Sequence, residues 1–430
     1  MKYHSTKSKD VHVDLATAVL RSLPPDNGLY MPVSIPDLRS LISDLSNVDL
    51  QEIAFRVAQP YLSEAFSDGI IKEICDEAIN FPAPIHSLNE DLHVLELWHG
   101  PSLAFKDFGA RFMAAVMSRL VSKVDKKLTI LVATSGDTGG AVAYGFLGVP
   151  NVEVVILYPK DKVSPLQEKQ LTTLGQNITA LEVDGTFDDC QALVKKAFLD
   201  DEINREYNLS SANSINICRL IPQSFYYFEA LRQIAKNDKE VVFCIPSGNF
   251  GNLTAGLLAK RMGLPVAKFI AATNLNDVVP SYLKSGTYEP KPSVATISNA
   301  MDVGNPSNFR RMEDLYGHLW NDMKADILGF SYDDKTTEEA IAEIYLKYHY
   351  TMDPHGAIGY RAAVTYQAEH PEHQVVILET AHPAKFLPVM GPILGKIDIP
   401  ERLGVLKDTE KIAIPMGVEF EGFKEWLMAQ

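Results

Sequence analysis

Leu128-Thr129-Ile130-Leu131-Val132-Ala133-Thr134-Ser135-Gly136-Asp137-Thr138-Gly139-Gly140 sets a continuous apolar, β-branched run ahead of a glycine-rich turn. Such a run reads as a strand covered on both faces, the pattern of a parallel sheet. An apparent helix follows from Ala141, so the unit is strand, tight turn, helix. Outward from it the unit recurs. Strands are expected at 152–157, 178–183, 241–245, 269–272 and 375–378, and helices at 164–174, 188–198, 222–235 and 253–262. Alternation of this kind predicts α/β architecture with parallel sheets. Before it, residues 1–90 mix turn signals such as Pro24-Pro25-Asp26-Asn27-Gly28 with helical spacing at Leu50, Ile53, Ala54 and Val57, and read as an appended, partly helical region. The weakly periodic stretch 276–311 reads as a long loop, and such loops inside compact domains are usually functional. Beyond about residue 386 a short, Pro-interrupted tail is expected, with no regulatory domain.

The chain has 430 residues, enough for two or three cores without staples. It is 46% hydrophobic and 22% charged, as in ordinary soluble proteins, and no apolar run approaches the roughly 20 residues that span a bilayer. No apolar segment follows the charged N-terminus, so no secretory signal is read and a cytoplasmic location is expected. A net charge of −15 argues against general affinity for nucleic acid or anionic membrane. Cys75, Cys190, Cys218 and Cys244 are scattered, with no metal-ligand spacing, so neither a metal site nor a disulfide frame is expected.

Four stretches carry chemistry. In His99-Gly100-Pro101-Ser102-Leu103-Ala104-Phe105-Lys106-Asp107-Phe108 one lysine sits among apolar residues at the expected start of a helix. Desolvation and the positive helix end both lower an amine pKa toward the range where it attacks a carbonyl. Taken alone, such a lysine is far more commonly a snorkelling one, its stem on the core and its head in water. Ser247-Gly248-Asn249-Phe250-Gly251-Asn252, between a strand and a helix, is built to hold a phosphate with backbone N–H groups, although it lacks P-loop and dinucleotide spacing. The 134–140 turn suits a carboxylate or a second phosphate, or is a capped helix start with Asp137 or Thr138 as the cap. Thr380-Ala381-His382-Pro383-Ala384-Lys385-Phe386 follows the 375–378 strand, where open α/β sheets bind ligands. His382 reads first as a turn histidine satisfied by backbone, and His355, in Asp353-Pro354-His355, as part of a helix cap. Two anion-binding turns, a hydroxyl and a desolvated lysine together describe a cofactor with a phosphate handle and an aldehyde, pyridoxal 5'-phosphate held as a Schiff base.

These four motifs resemble the threonine synthase family, of the longer microbial and fungal type. So do Tyr3-His4-Ser5-Thr6 with Asn27-Gly28-Leu29-Tyr30-Met31-Pro32, and Ala300-Met301-Asp302-Val303-Gly304-Asn305-Pro306-Ser307-Asn308-Phe309-Arg310. The resemblance covers essentially the whole chain. It implies a fold type II pyridoxal-phosphate enzyme, similar to the tryptophan synthase β chain, with two open twisted α/β domains plus an N-terminal region. The expected division is 1–90 for the N-terminal mixed helical region, 91–125 with 220–430 for the larger cofactor-binding domain, and 126–219 for the smaller domain.

By the same resemblance Lys106 carries the cofactor, Gly248, Asn249, Phe250, Gly251 and Asn252 hold its phosphate, and the Thr380 hydroxyl meets the pyridine nitrogen. Ser135, Gly136 and Thr138 look like the loop that receives the substrate carboxylate. Asp137 stands where many fold type II relatives carry Asn against the cofactor's phenolic oxygen; it either shares a proton there or points elsewhere. For the substrate phosphate the candidates are Asn305, Ser307, Asn308, Arg310 and Lys385, Arg310 being equally readable as a surface ion pair. The implied reaction is O-phospho-L-homoserine and water to L-threonine and phosphate, the last step of threonine biosynthesis. The implied partner is that small anionic substrate, and the resemblance suggests a monomer. Other readings are a serine or threonine dehydratase, a phospho-amino-acid lyase, or an inactive binding protein of the same family.

Overall fold

The computed structural model describes residues 1–121, 127–234 and 239–430. Two sheets organise it. The larger runs Ile327–Ser331, Lys268–Thr273, Val241–Pro246, Gln374–Glu379, Leu92–Glu96 and Ile85–Ser87, parallel except for the last pair. The smaller runs Ile414–Met416, Ile178–Val183, Val152–Pro159, Leu128–Ala133 and Asn208–Ser211, all parallel. Leu128–Ala133, Val241–Pro246 and Gln374–Glu379 are buried at every residue, as unbroken apolar strands in a covered parallel sheet should be. Helix Pro354–Glu369 packs on the larger sheet, Phe187–Leu199 on the smaller, and Lys106–Val121 lies against Asp137–Phe146 between them. No described helix is long and apolar enough to cross a membrane.

In the N-terminal region, Tyr3–Ser5 pairs antiparallel with Tyr30–Pro32. Asp49 starts helix Leu50–Leu62 by accepting from Glu52 N, and Ile53, Ala54 and Val57 face inward at the expected spacing. That helix packs on Phe225–Gln233, and its neighbour Asp68–Ala78 on Lys106–Val121.

Several expectations are corrected. The stretch 276–311 is not a continuous loop: it holds helix Val278–Ser285, a 3₁₀ turn at Asn299–Met301 and the start of helix Phe309–Leu315. Pro280 discouraged a helical reading, but it occupies the first turn, where no intrahelical N–H is needed. The helix expected from Ala141 starts at Asp137, that expected at 164–174 is Pro165–Thr172, and that expected at 222–235 is a 3₁₀ turn followed by Phe225–Gln233. Residue 235 and the 125/126 division lie outside the described residues. The tail is structured: Ile414–Met416 pairs with Leu181–Val183, and Phe423 and Leu427 of helix Phe420–Met428 share a core with Leu193 and Val194. Residues 414–428 therefore pack on the smaller sheet, although the expected division put everything beyond 220 with the larger.

Candidate active site

Lys106 is placed by a strap. Phe105 N donates to Thr380 O (2.8 Å), His382 N donates to Leu103 O (3.0 Å), and Ala104 bridges Ala381. The chain before Lys106 is thus zipped onto the segment leaving the central strand Gln374–Glu379, and Lys106 opens its helix directly after it. Asp107 fixes the turn, its Oδ2 accepting from Ser102 N at 2.9 Å. Burial pushes the Asp107 carboxyl up to about 6, against the Ser102 bond that lowers it. Gly100 is required there, since a Cβ would stand 2.4 Å from that Oδ2.

Lys106 is half-buried beside the Phe105 ring, 5.8 Å from its centroid. Loss of hydration pulls its ammonium from 10.5 down to about 8; Asp137 opposes this, while Lys385 and Arg219 reinforce it.

Asp137 begins its helix after Gly136, whose φ is +134°. Its Oδ1 accepts from Gln167 Nε2 (2.8 Å) and pairs with Lys385 Nζ (2.7 Å), which also donates to Ser102 O (2.8 Å). Burial alone would raise the Asp137 carboxyl, but the Lys385 and Lys106 charges and the bonds from Lys385 and Gln167 hold it well below the usual carboxylate range. Neither Asp137 nor Thr138 caps this helix: the Thr134 hydroxyl accepts from Gly136 N (3.0 Å) and Gly139 N (2.8 Å). Ser135 and Thr138 remain half-buried on the turn.

In the 247–252 turn Phe250 adopts the left-handed conformation (φ +60°), and Gly248 lies against backbone, where a Cβ would meet Met301 Cα at 2.7 Å. Asn249 Oδ1 accepts from Ser307 N (2.6 Å) and Ser307 Oγ (3.0 Å), while its Nδ2 donates to Ser214 Oγ (2.6 Å). Asn252 is buried; Tyr226 and Tyr227 hydroxyls donate to its Oδ1 at 2.7 and 2.8 Å, and its Nδ2 has no partner. That orphaned donor at a helix start, in the same turn as the tightly packed Gly248, fits a phosphate. With the desolvated amine of Lys106 and Thr380 strapped next to it, the residues present fit pyridoxal phosphate.

The remaining candidates divide. Ser307 and Asn308 join the 248–252 turn through Asn249 and Ser214, Asn308 Nδ2 donating to Ser214 Oγ at 3.3 Å. Asn305 and Arg310 are exposed: Tyr288 OH donates to Asn305, and Arg310 pairs with Glu313 (2.9 Å) beside the Tyr288 ring. Lys385 is fully buried and engaged by Asp137 and Ser102. His382 accepts from Ala384 N at Nδ1, and burial holds it down to about 4, as suits a turn histidine. His355 accepts from Ala300 N at Nε2, so its proton is on Nδ1 toward Asp353 Oδ1 (2.5 Å). Behind Thr380, Glu379 is fully buried; Oε1 accepts from Asp353 N (2.7 Å), and burial followed by the Asp353 charge pushes the carboxyl well above the usual carboxylate range. His370, Glu372 and His373 have ligand atoms within 4.8 Å of one another, but they precede the strand Gln374–Glu379, at the end away from Thr380.

Sequence reasoning passed over Gln167, Ser214, Tyr226, Tyr227 and Arg311. The run Phe225-Tyr226-Tyr227-Phe228 carried a signal, because buried tyrosine hydroxyls need partners. Arg311 is fully buried and donates to Tyr30 O, Ser214 O, Ile215 O and Asn308 Oδ1. Its doublet with Arg310 hid which of the two points inward.

The chain matches the family described as Pyridoxal-phosphate dependent enzyme over residues 79–381, flanked by matches to Threonine synthase N terminus over 2–79 and Threonine synthase, C-terminal, over 356–425. It is 44% identical to the threonine synthase of Escherichia coli K12 over 100% of this chain and 99% of that one, and 36% identical to that of Saccharomyces cerevisiae over 95% and 94%. The crystal structure of pyridoxal-phosphate-bound threonine synthase from Brucella melitensis superposes with a TM-score of 0.93 at 33% identity, covering 100% of this chain and 99% of that one.

Proposed function

The chain belongs to the threonine synthase family of fold type II pyridoxal-phosphate enzymes, and from that premise we propose how its own residues perform the reaction. The activity is conversion of O-phospho-L-homoserine and water to L-threonine and phosphate. The observation that carries the site assignment is the strap of 103–105 on 380–382, which sets the desolvated Lys106 beside Thr380.

Pyridoxal phosphate, when bound, supplies an electron sink for a carbon acid. Gly248, Asn249, Phe250, Gly251 and Asn252 hold its phosphate, Asn252 Nδ2 being the waiting donor. Thr380 serves the ring nitrogen; a hydroxyl there does not enforce ring protonation as a carboxylate would. Lys106 would carry the aldehyde and, when freed by the substrate amine, would be the group that takes the proton from the substrate Cα, its lowered pKa making the free amine more accessible than that of an ordinary lysine. Across the whole reaction, the Cγ–O bond breaks with its electron pair departing on phosphate, a hydrogen is transferred from Cβ to Cγ, the hydroxyl of water takes its place on Cβ, and the remaining water proton leaves with phosphate. Ser135, Gly136 and Thr138 receive the substrate carboxylate at the start of helix Asp137–Phe146. The substrate phosphate falls to Ser307 and its surroundings rather than to Arg310, whose guanidinium is held by Glu313. Closure of the two domains over the substrate would keep water from the reacting carbons until phosphate has left. The reading also carries a cytoplasmic location and a monomeric state, the latter checked by sedimentation velocity.

The test is phosphate release from O-phospho-L-homoserine by cofactor-loaded protein, with the amino-acid product identified, beside Lys106→Ala. Threonine and phosphate in equal amounts, lost in the variant, are expected. Cofactor uptake without phosphate release overturns the substrate, and serine and threonine are then tried.

A further inference from the structure

Asp137, which the sequence set in the 134–140 anion-binding turn, and Lys385, which it offered to the substrate phosphate, form one buried unit. Lys385 Nζ is 2.7 Å from Asp137 Oδ1, with side-chain exposures of 0% and 4%. Gln167 Nε2 donates to the same oxygen at 2.8 Å, and Ser102 O receives a second bond from Lys385 at 2.8 Å. Asp137 follows a strand of the smaller sheet and Lys385 one of the larger, so the pair ties the ends of the two sheets together. Drawing either partner toward a substrate would strand the other as an uncompensated buried charge.

The pair lies against the turn that leads into Lys106, since Lys385 donates to Ser102 O. The charged groups around that amine are Asp137 on helix Asp137–Phe146, Lys385 on the turn after the central strand, and Arg219 on helix Ile217–Leu220. Asp107, next to it in sequence, is engaged by Ser102 N. Arg219 Nη1 donates to Ala212 O. One carboxylate therefore acts on two amines, and it is bonded to Lys385, not to Lys106.

Resting on the reading of Lys106 as the cofactor-carrying amine, we infer that Lys385 is a positioning residue that competes with Lys106 for Asp137 and so leaves Lys106 free to act as a nucleophile. Without Lys385, Asp137 pairs with Lys106 and holds it as an ammonium. Without the Asp137 charge, nothing opposes the desolvation and the cations that strip the Lys106 proton. The two removals push Lys106 in opposite directions, which a merely structural pair would not do.

The experiment is competitive amine labelling of the cofactor-free protein across pH, read at the Lys106 peptide by mass spectrometry, with the Lys260 peptide as internal reference. Wild-type protein is expected to label with a midpoint near 8. A charge removed nearby moves that midpoint by about 1 pH unit. At pH 7 this is roughly a tenfold fall in labelling for Lys385→Met and roughly a fivefold rise for Asp137→Asn. The double variant Asp137→Asn/Lys385→Met, with no buried unpaired charge, should return to within about twofold of wild type and keeps the test open if a single variant does not fold. Shifts of the same sign in both single variants, no shift in either, or a double variant as far displaced as a single one would overturn the inference. Labelling needs no cofactor, so its result is separate from whether the loaded protein releases phosphate.

Discussion

Replacing Gly248 with alanine tests the proposed phosphate-holding turn most directly. The added methyl would stand 2.7 Å from Met301 Cα and 2.9 Å from Ala300 O. Carbon pairs settle at roughly 3.5–4.0 Å, so the two segments must separate by about 0.8 Å or more. Both neighbours are backbone and neither yields easily. Ala300 N is held by His355 Nε2 at 3.2 Å, His355 is held by Asp353, and on the other side Ser247 N donates to Ala272 O at 2.8 Å. Overpacking of this kind costs about 1–3 kcal/mol, and 2 kcal/mol lowers the folded-to-unfolded ratio roughly 30-fold. The turn's N–H groups move with it, and a displacement near 1 Å at a preorganised site costs on the order of 10²-fold. Urea unfolding of cofactor-free protein reads the first effect; titration with pyridoxal phosphate, followed by absorbance, reads the second. Gly417→Ala, whose Cβ would meet nothing within 4 Å, is the control. A Gly248→Ala protein that unfolds within about 0.5 kcal/mol of wild type and binds cofactor within about threefold would refute the reasoning.

Gly356→Ala would place Cβ 1.7 Å from Glu379 Oε2, whose carboxyl is pinned by Asp353 N, so a loss of about 3 kcal/mol is expected, at least half of it relieved in a Glu379→Ala background; simple additivity in that double-mutant cycle would count against the clash. Arg311→Met removes the donor from four acceptors, two buried and two half-buried, at up to about 1 kcal/mol each, so denaturant unfolding should show a loss of about 2–4 kcal/mol, and a loss below about 1 kcal/mol would contradict the assignment. The folded-state pKa of Lys106, about 8 against an ordinary 10.5, means that between those values the unfolded chain binds more protons. Stability of the cofactor-free protein should therefore rise with pH through that window relative to Lys106→Met, and parallel urea midpoints for the two proteins would rule this out. Arg310→Ala should leave phosphate release within about twofold, as a surface pair with Glu313 implies; a tenfold rise in KM would return Arg310 to the substrate.

What the sequence disclosed follows from what burial on both faces does to composition. Strands such as 128–133 and 241–246 could contain almost nothing but apolar residues, so they were visible without partners. Leu92–Glu96, Asn208–Ser211 and Ile327–Ser331 are short or mixed in character and acquire their strand identity from the neighbour they pair with. In the site, glycines and turn chemistry marked 134–140 and 247–252 because those backbones need them. Lys106 was legible through its apolar neighbours. What could not be read was which polar groups satisfy one another: Asp137 with Lys385, Asn249 with Ser307, and Arg311 with Asn308 and Tyr30 are meetings of distant segments that no local pattern encodes.

The return of Ile414–Met416 to the smaller sheet also bears on how the chain reaches this state. Its partner edge, Ile178–Val183, is finished long before residues 414–416 leave the ribosome. Until they arrive, that edge presents unpaired N–H and C=O groups flanked by Ile178, Leu181 and Val183, a template for any other nascent copy. Closing so long a loop costs little more than closing a shorter one, because the entropy grows only with the logarithm of length. The late strand therefore docks readily once made, and the interval before it is made is when self-association competes with folding.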